Sequence, residues 1–240
     1  MQVFPLKALE DNYMYVLHDE VTGKNAVVDP SEADPVLEFL KEKDWKLDAI
    51  LNTHHHWDHV GGNLKLKKTF DCEVIGYEAD EHRIPGISRE LANGETVSIG
   101  GMSAQTYFIP GHTSGHIAYY FEKDQALFTG DTLFLSGCGR LFEGTYEQMF
   151  ESLNLLKKFP DPTQIYCGHE YTLTNARFLV EIEPNDQNNK YYATIVEKLK
   201  SSGTTIPGRI EEEKRYNPFM RSASVEEFKI LRDKKDHWKG

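Results

Sequence analysis

One seven-residue stretch, residues 53–59, constrains this chain more than any other part of its sequence. It runs Thr-His-His-His-Trp-Asp-His, so four imidazoles and a carboxylate fall within one short segment. The apolar residues 47–51 precede it and Val-Gly-Gly follows it, which predicts a strand, a tight loop and a helix. Imidazoles and carboxylates are ligands that zinc and similar divalent ions prefer. An affinity tag would lie at a terminus and be uniform, so we predict a metal-binding loop.

Length and composition predict one large domain, or one domain with a small appendage. The chain has 240 residues, of which 39% are hydrophobic, and domains usually have about 100–200 residues. No apolar run reaches the roughly 18 residues of a membrane span, so we expect a globular protein. Residues 1–7 lack the pattern of a targeting leader. The three cysteines (Cys72, Cys138 and Cys167) are odd in number and widely spaced, which favours a reducing compartment, the cytoplasm.

The charge of the chain is unevenly distributed. The net charge is −11, which disfavours nucleic-acid and anionic-membrane partners because their phosphates would be repelled. Residues 190–240 nevertheless hold 12 Lys and Arg against 8 Asp and Glu. A basic tail on an acidic body is suited to holding a small anion. We expect a monomer with a small-molecule substrate, and neither nucleic acid nor membrane as a partner.

The first two thirds of the sequence predict two different sheets. Strand-like runs at 3–9, 13–18, 26–28, 47–52 and 73–76 alternate with helices, one starting with Pro35 at its first position and one over 60–70. The middle third has short strand-like runs at 96–99, 104–109, 116–121 and 126–129, separated by glycine and polar turns. This change of pattern predicts a second sheet rather than a continued parallel one.

The last third predicts mainly helices. A capping-box pattern in Thr145 and Gln148 opens a helix whose buried side holds Met149, Leu153 and Leu156. After a strand at 164–167, helices are expected at 172–183, 191–200 and 224–237, the last with a second capping box in Ser224 and Glu227. We place a domain boundary near residue 171.

Seven side chains are candidate metal ligands. The loop offers His54, His56, Asp58 and His59, and three more residues each follow a strand in a glycine-containing loop: His112, Asp131 and His169. Seven groups exceed the four that one tetrahedral ion takes, so two ions are expected. We assign His54, His56 and His112 to the first ion, Asp58, His59 and His169 to the second, and Asp131 to both.

This ligand set predicts hydrolysis. Two ions about 3.5–4 Å apart lower the pKa of a bridging water and polarise a carbonyl group. The two carboxylates, Asp58 and Asp131, are therefore the predicted catalytic residues as well as ligands. Zinc is the expected metal, although a set of nitrogen and oxygen ligands also accepts iron or manganese.

The signature His54-x-His56-x-Asp58-His59, with His112, Asp131 and His169, resembles the metallo-β-lactamase superfamily. The resemblance implies an α+β fold, a four-layer αββα sandwich in which two mixed sheets lie between helices. Residues 1–170 would form this catalytic domain and residues 171–240 a helical substrate-binding domain. Several activities share the fold, so the ligands alone do not name the substrate.

Other segments resemble one branch, the glyoxalase II (hydroxyacylglutathione hydrolase) family. They are residues 110–116, 128–134, 137–140, 167–171, 217–221 and 231–236. The resemblance implies hydrolysis of S-(2-hydroxyacyl)glutathione thioesters, typically S-D-lactoylglutathione, to glutathione and D-lactate by a metal-bridging hydroxide, in methylglyoxal detoxification. It also implies five residues that hold the glutathione part: Arg140, Phe142, Tyr171, Arg232 and Lys235.

Two of these residues have independent support, and two depart from the family. Arg232 and Lys235 lie three apart on a predicted helix in the basic tail, where a guanidinium and an ammonium suit the carboxylates of glutathione. Many family members have Lys and Tyr where this chain has Arg140 and Phe142. Because Phe142 has no hydroxyl, we expect substrate binding to lose on the order of 1 kcal/mol.

Three alternatives stay open at this point. A mononuclear iron glutathione-persulfide dioxygenase could use the same scaffold with two His and one carboxylate. A lactonase or β-lactamase would share the ligands but would not explain Arg232 and Lys235. A non-enzymatic metal-binding protein would be expected to lack a ligand, and all seven are present.

Overall fold

The computed structural model describes all residues, 1–240. The chain forms two compact units. The first comprises residues 1–108 and 115–130, and the second comprises residues 109–114 and 131–240. The domain boundary near residue 171, which the sequence pattern indicates, stays a prediction.

The first unit contains ten strands and three helices. In chain order they are β1 (Gln2–Ala8), β2 (Asn12–His18), β3 (Asn25–Val28), α1 (Ala33–Lys43), β4 (Ala49–Leu51), α2 (Trp57–Val60), α3 (Asn63–Phe70), β5 (Glu73–Tyr77), β6 (Arg89–Leu91), β7 (Thr96–Ile99), β8 (Met102–Phe108), β9 (Ile117–Phe121) and β10 (Ala126–Gly130). Short 3₁₀ turns cover Glu78–Asp80 and Glu122–Asp124.

Two sheets organise the first unit, as the sequence predicts. The first sheet has the order β1-β2-β3-β4-β5-β6, antiparallel from β1 to β3 and parallel from β3 to β6. Strands β7 to β10 pair with their chain neighbours in antiparallel fashion. Strand β4 is buried along its whole length, as expected for a parallel strand covered on both faces.

Aromatic side chains join the two sheets of the first unit. The ring of Tyr15 on β2 meets that of Phe128 on β10 edge to face, with centroids 5.4 Å apart. The hydroxyl of the fully buried Tyr119 donates a hydrogen bond to the backbone oxygen of Asn52, at 3.0 Å. Aliphatic residues on the first sheet and on α1 and α3 complete an apolar core, including Val27, Val36, Leu40, Ile50, Leu66 and Val74.

The helix predicted over residues 60–70 is wrong in its extent. The structure has two helices, α2 and α3, separated by Gly61 and Gly62. A Cβ at Gly61 would overlap the backbone oxygen of Ser31, and one at Gly62 would lie 2.8 Å from that of Pro30. The break therefore follows from a close approach to the turn after β3, which local sequence does not reveal.

Two helix starts also differ from prediction. Pro35 is the third residue of α1 rather than the first, and Glu32 stands at the N-cap. The second predicted capping box is incomplete. The Ser224 hydroxyl accepts from the backbone N–H of Glu227, but the Glu227 carboxylate accepts from Ala223. Both errors are shifts of a residue or two at a helix end, where boundaries are least well determined.

The second unit contains four short strands and six helices. They are β11 (Leu133–Phe134), β12 (Gly137–Cys138), α4 (Tyr146–Leu156), β13 (Gln164–Cys167), α5 (Thr172–Ile182), α6 (Asp186–Ser202), β14 (Gly208–Arg209), α7 (Ile210–Tyr216), α8 (Pro218–Arg221) and α9 (Val225–His237). None of the helices in the chain is long and apolar enough to cross a membrane.

The start of α4 confirms the capping box of Thr145 and Gln148, with both reciprocal hydrogen bonds present. Helices α7 and α8 were not predicted. They meet at Asn217, whose side-chain oxygen accepts from the backbone N–H groups of Phe219 and Met220. The Asn217 amide nitrogen donates to the Gly137 backbone oxygen and to Glu213. Three of these bonds are local, and the bond to Gly137, 80 positions away, ties α7 and α8 to the rest of the unit. Both helices are too short to show an apolar period.

Candidate functional site

Four predicted ligands lie together in the first unit, and we call them the loop ligands: His54, His56, Asp58 and His59. Strand β4 ends at Leu51 and α2 begins at Trp57, so the turn between them presents His54 and His56, while Asp58 and His59 lie on α2 itself. The His54 ring lies 4.8 Å from that of His56 and 4.2 Å from that of His59, measured between centroids. His54 and His59 are fully buried.

The Asp29 carboxylate orients two of these rings. It accepts hydrogen bonds from the Thr53 hydroxyl at 2.6 Å and from His59 Nδ1 at 3.1 Å. Because the Thr53 hydroxyl donates to Asp29, it accepts from His54 Nδ1, which lies 3.0 Å away. Both rings therefore hold their proton on Nδ1 and their lone pair on Nε2, the orientation that supporting hydrogen bonds give to metal-binding histidines.

Asp58 is oriented by Asn12, at the start of β2. The Asn12 side-chain amide donates to the Asp58 backbone oxygen at 3.0 Å and to its Oδ2 at 3.1 Å. Asp58 Oδ2 also lies 3.7 Å from His59 Nε2. One carboxylate oxygen and one imidazole nitrogen thus lie side by side within the loop.

Sequence reasoning missed Asp29 and Asn12. Asp29 directly precedes Pro30 after β3, a pattern that by itself indicates only the end of a strand. A signal was available, since β3 and β4 are both short apolar strands that end in polar residues. The carboxyl ends of adjacent parallel strands lie at one edge of a sheet. Asn12 has no comparable signal, because its partner Asp58 lies 46 positions away on α2.

The other three predicted ligands lie together in the second unit, and we call them the strand-end ligands: His112, Asp131 and His169. Asp131 Oδ2 lies 3.4 Å from His112 Nε2 and 3.2 Å from His169 Nε2. All three side chains are buried. His112 Nδ1 donates to the backbone oxygen of Arg140 at 2.7 Å, so the lone pair of this ring is also on Nε2.

The donor chemistry of both sets fits divalent metal ions. Each of the seven side chains offers one imidazole nitrogen or carboxylate oxygen, with no thiol among them. Hydrogen bonds fix the tautomer of His54, His59 and His112 so that Nε2 carries the lone pair. Buried, oriented imidazoles of this kind are typical of zinc, iron and manganese sites.

Three predicted substrate-binding residues lie close to the strand-end ligands. The Tyr171 ring stacks on the His169 ring, with centroids 4.8 Å apart and planes 6° apart. The Phe142 ring meets that of His112 edge to face at 5.2 Å and is 62% exposed. The exposed Arg140 donates from Nε to Asp236, at 3.3 Å.

Arg232 and Lys235 differ sharply in environment although both lie on α9. Arg232 is 5% exposed, and its terminal nitrogens donate to the Cys138 backbone oxygen and to Asp236, each at 2.9 Å. The Lys235 ammonium donates to the Thr174 backbone oxygen at 3.4 Å.

Two rings lie against that ammonium, with their centroids 4.8 Å (Phe178) and 4.2 Å (Trp238) away. Burial, helped by the charge of Arg232, lowers the pKa of Lys235 to about 8. The sequence pattern points to neither of these two rings, which lie outside the family-like segments, and it gives no role to Asp236, which lies within one of them, 231–236.

The cysteines are not placed to act as nucleophiles. Cys138 and Cys167 are buried and unbridged. Burial raises the pKa of the Cys138 thiol to about 11 and raises that of Cys167 further. Since the thiolate is the reactive form, both residues are small core side chains rather than nucleophiles.

Comparisons with known proteins agree with the ligand pattern. The family model described as the metallo-beta-lactamase superfamily matches residues 10–169, and that described as the hydroxyacylglutathione hydrolase C-terminus matches residues 170–238. A protein of Methylococcus capsulatus named hydroxyacylglutathione hydrolase is 47% identical, with all of both chains covered. This chain belongs to the hydroxyacylglutathione hydrolase family. It is therefore also a member of the metallo-beta-lactamase superfamily.

Further relatives support the family and the fold. A hydroxyacylglutathione hydrolase of Pelagibacter ubique is 45% identical, over 99% of this chain and all of the relative. The crystal structure of ETHE1 from Myxococcus xanthus is similar with a TM-score of 0.77 and 26% identity, over 100% of this chain and 93% of that one. The predicted α+β metallo-β-lactamase fold is thereby confirmed.

Proposed function

We propose that this hydroxyacylglutathione hydrolase family member is a binuclear metal thioesterase. It hydrolyses S-(2-hydroxyacyl)glutathione, typically S-D-lactoylglutathione, to glutathione and a 2-hydroxy acid. Water adds an oxygen to the thioester carbonyl carbon, the carbon–sulfur bond breaks, and the thiolate leaves. The observation that carries the proposal is the position of Asp131 Oδ2 between His112 and His169, because one carboxylate shared by two imidazoles suits a pair of ions.

We assign the seven ligands to two ions. His54, His56 and His112 would each give one imidazole nitrogen to the first, while Asp58, His59 and His169 would serve the second and Asp131 both. When bound, two such ions activate water and polarise the thioester carbonyl. Zinc is the proposed metal, with iron or manganese accepted by the same donors.

The protein contributes orientation more than proton transfer. Asp29 holds the His54 and His59 rings through Thr53 and Nδ1, and the Arg140 carbonyl holds His112. The leaving group is a thiol whose pKa is about 8.5, so it departs as thiolate without being protonated. This accounts for a site that needs no dedicated general acid, whereas an amide substrate would require one.

We propose that the second unit binds the glutathione part of the substrate. Lys235 is the best candidate for a direct contact with a carboxylate, because its ammonium has a single protein acceptor, Thr174. Both terminal nitrogens of Arg232 already donate within the protein, so we assign to Arg232 a longer-range attraction of the substrate carboxylate by its positive charge rather than a direct contact. Arg140 and Tyr171 add a cation and a hydroxyl, and Phe142 adds apolar contact.

A hydrolysis assay with metal analysis of the same sample tests this function. Thiol release from S-D-lactoylglutathione by protein holding two metal ions is the expected result. Asp131→Ala should abolish turnover, and Lys235→Ala should chiefly raise KM. If Lys235→Ala lowers kcat alone, the assigned carboxylate contact is wrong. Oxygen uptake with glutathione persulfide by protein holding one iron would favour the dioxygenase alternative.

A further inference from the structure

A short segment of the second unit runs alongside the loop that carries His112. We call residues 139–144 the strap and residues 109–114 the His112 loop. The strap carries two of the proposed substrate-binding residues. Three hydrogen bonds join the two segments: His112 Nδ1 to the Arg140 oxygen at 2.7 Å, Phe142 N to the His112 oxygen at 3.2 Å, and Gly144 N to the Gly111 oxygen at 3.1 Å.

A carboxylate on the strap holds the end of the His112 loop. Glu143 Oε2 accepts from the Ser114 backbone N–H at 2.8 Å and from the Ser114 hydroxyl at 2.7 Å. Hydrogen bonds to a charged group are about twice as strong as neutral ones. Glu143 is exposed, so this bond is not needed to satisfy a buried carboxylate. The two hydrogen bonds from Ser114 to Glu143 fix the strap and the His112 loop in register.

Glycines make this close approach possible. A Cβ at Gly144 would lie 2.5 Å from the Cα of Gly111, so no larger residue fits there without moving the loop. Gly111 itself has a φ of 145° and would bring a Cβ within 2.7 Å of Met149. The two segments therefore pack backbone against backbone, and a shift of the strap moves the carbonyl that orients His112.

We propose that Glu143 is a positioning residue for the metal ligand His112, acting through Ser114 and the strap. It fixes the register in which the Arg140 carbonyl receives His112 Nδ1–H, and hence the direction of Nε2. Because Arg140 and Phe142 lie on the same strap, Glu143 also sets where they meet substrate. The inference rests on the proposed function, since it assumes that His112 binds metal.

Metal retention tests this role without relying on turnover. Zinc-loaded protein is titrated with a chromophoric chelator, and the chelator concentration that removes each ion is recorded. Loss of partners that orient ligands usually weakens metal binding 10–100-fold, so Glu143→Ala should release one of two ions at roughly tenfold lower chelator concentration. Glu143→Gln keeps an oxygen acceptor and should stay within about threefold of the unmodified protein.

The matched control is Glu95→Ala. Glu95 is also exposed, and its carboxylate accepts a backbone N–H, that of Ala92 at 3.0 Å, in a turn of the first unit. Removing it should lower thermal stability about as much as Glu143→Ala does, without releasing metal. A double variant gives a second test. The effects of Ser114→Ala and Glu143→Ala on metal release should be strongly non-additive, because each substitution removes the hydrogen bond between the Ser114 hydroxyl and Glu143.

Three outcomes distinguish the positioning role of Glu143 from the proposed thioesterase function. Early release of one ion in Glu143→Ala, rescue by Gln and retention in Glu95→Ala establish the positioning role. If Glu143→Ala keeps both ions as tightly as the unmodified protein, the role is refuted while the thioesterase proposal stands. If the unmodified protein never holds two ions, the proposed binuclear function has failed instead.

Discussion

His112 Nδ1 lies 2.7 Å from the backbone oxygen of Arg140, so one hydrogen bond joins a proposed metal ligand to a proposed substrate-binding residue. In the first unit, the Asp29 carboxylate is the acceptor that orients His59 directly and His54 through the Thr53 hydroxyl. Each set of ligands therefore has its own orienting acceptor, a carboxylate in one case and a backbone carbonyl in the other. Substitutions that remove the Asp29 carboxylate, or that displace the segment carrying the Arg140 carbonyl, should weaken metal binding before they unfold the protein.

Thr53→Val should lower the affinity for metal about tenfold. Valine matches threonine in shape but cannot relay the hydrogen bond from His54 Nδ1 to Asp29. Calorimetric titration of metal-free protein with zinc measures the effect. Thr53→Ser keeps the hydroxyl and should bind zinc as the unmodified protein does; equal affinities for the Val and Ser variants would contradict the relay.

Phe142→Tyr should lower KM about fivefold and leave kcat unchanged, because a restored hydroxyl can donate one substrate hydrogen bond worth about 1 kcal/mol. The ring is 62% exposed, so the added oxygen does not disturb the core. Steady-state hydrolysis of S-D-lactoylglutathione measures both constants. A change in kcat without one in KM would show that this position acts on the chemical step instead.

The KM of the unmodified protein should rise several-fold between pH 7 and pH 9.5. Burial lowers the pKa of Lys235 to about 8, so its ammonium is charged below that pH and neutral above it. An arginine stays charged throughout the range. Lys235→Arg should therefore show a smaller rise in KM, and parallel pH profiles for the two proteins would rule out Lys235 as the carboxylate contact.

Glu213→Gln should make stability less dependent on pH. Glu213 is buried and accepts from Ser136 N and Asn217, and burial raises its pKa from 4.5 to about 8. The folded state thus keeps a proton that the unfolded chain releases between those pH values. Stability from this group is full below about pH 4.5 and is lost as the pH rises through 8.

Urea denaturation at pH 6 and pH 9 measures this effect. The unmodified protein should lose more stability between the two pH values than Glu213→Gln, because glutamine does not ionise. Equal losses in the two proteins would show that Glu213 is already ionised in the fold at pH 6.

Local chemistry explains which features the sequence could predict. The capping box at Thr145 and the strand at 164–167 depend on neighbouring residues, and both are confirmed. The break at Gly61 depends on contact with Ser31, thirty positions away. Asp29 and Asn12 are hard to predict for the same reason, because their partners His59 and Asp58 lie on α2, 30 and 46 positions away. The seven proposed ligands could be predicted from the sequence, because histidines and aspartates grouped in this way have few roles other than metal binding.

We propose that two metal ions, held by the loop ligands and the strand-end ligands, carry the hydrolysis. The decisive experiment is stepwise addition of zinc to metal-free protein, with hydrolysis of S-D-lactoylglutathione measured after each addition. We predict that activity rises until two equivalents per chain are bound and that Asp131→Ala stays inactive at any zinc level. Full activity at one equivalent, or activity that survives Asp131→Ala, would contradict the claim.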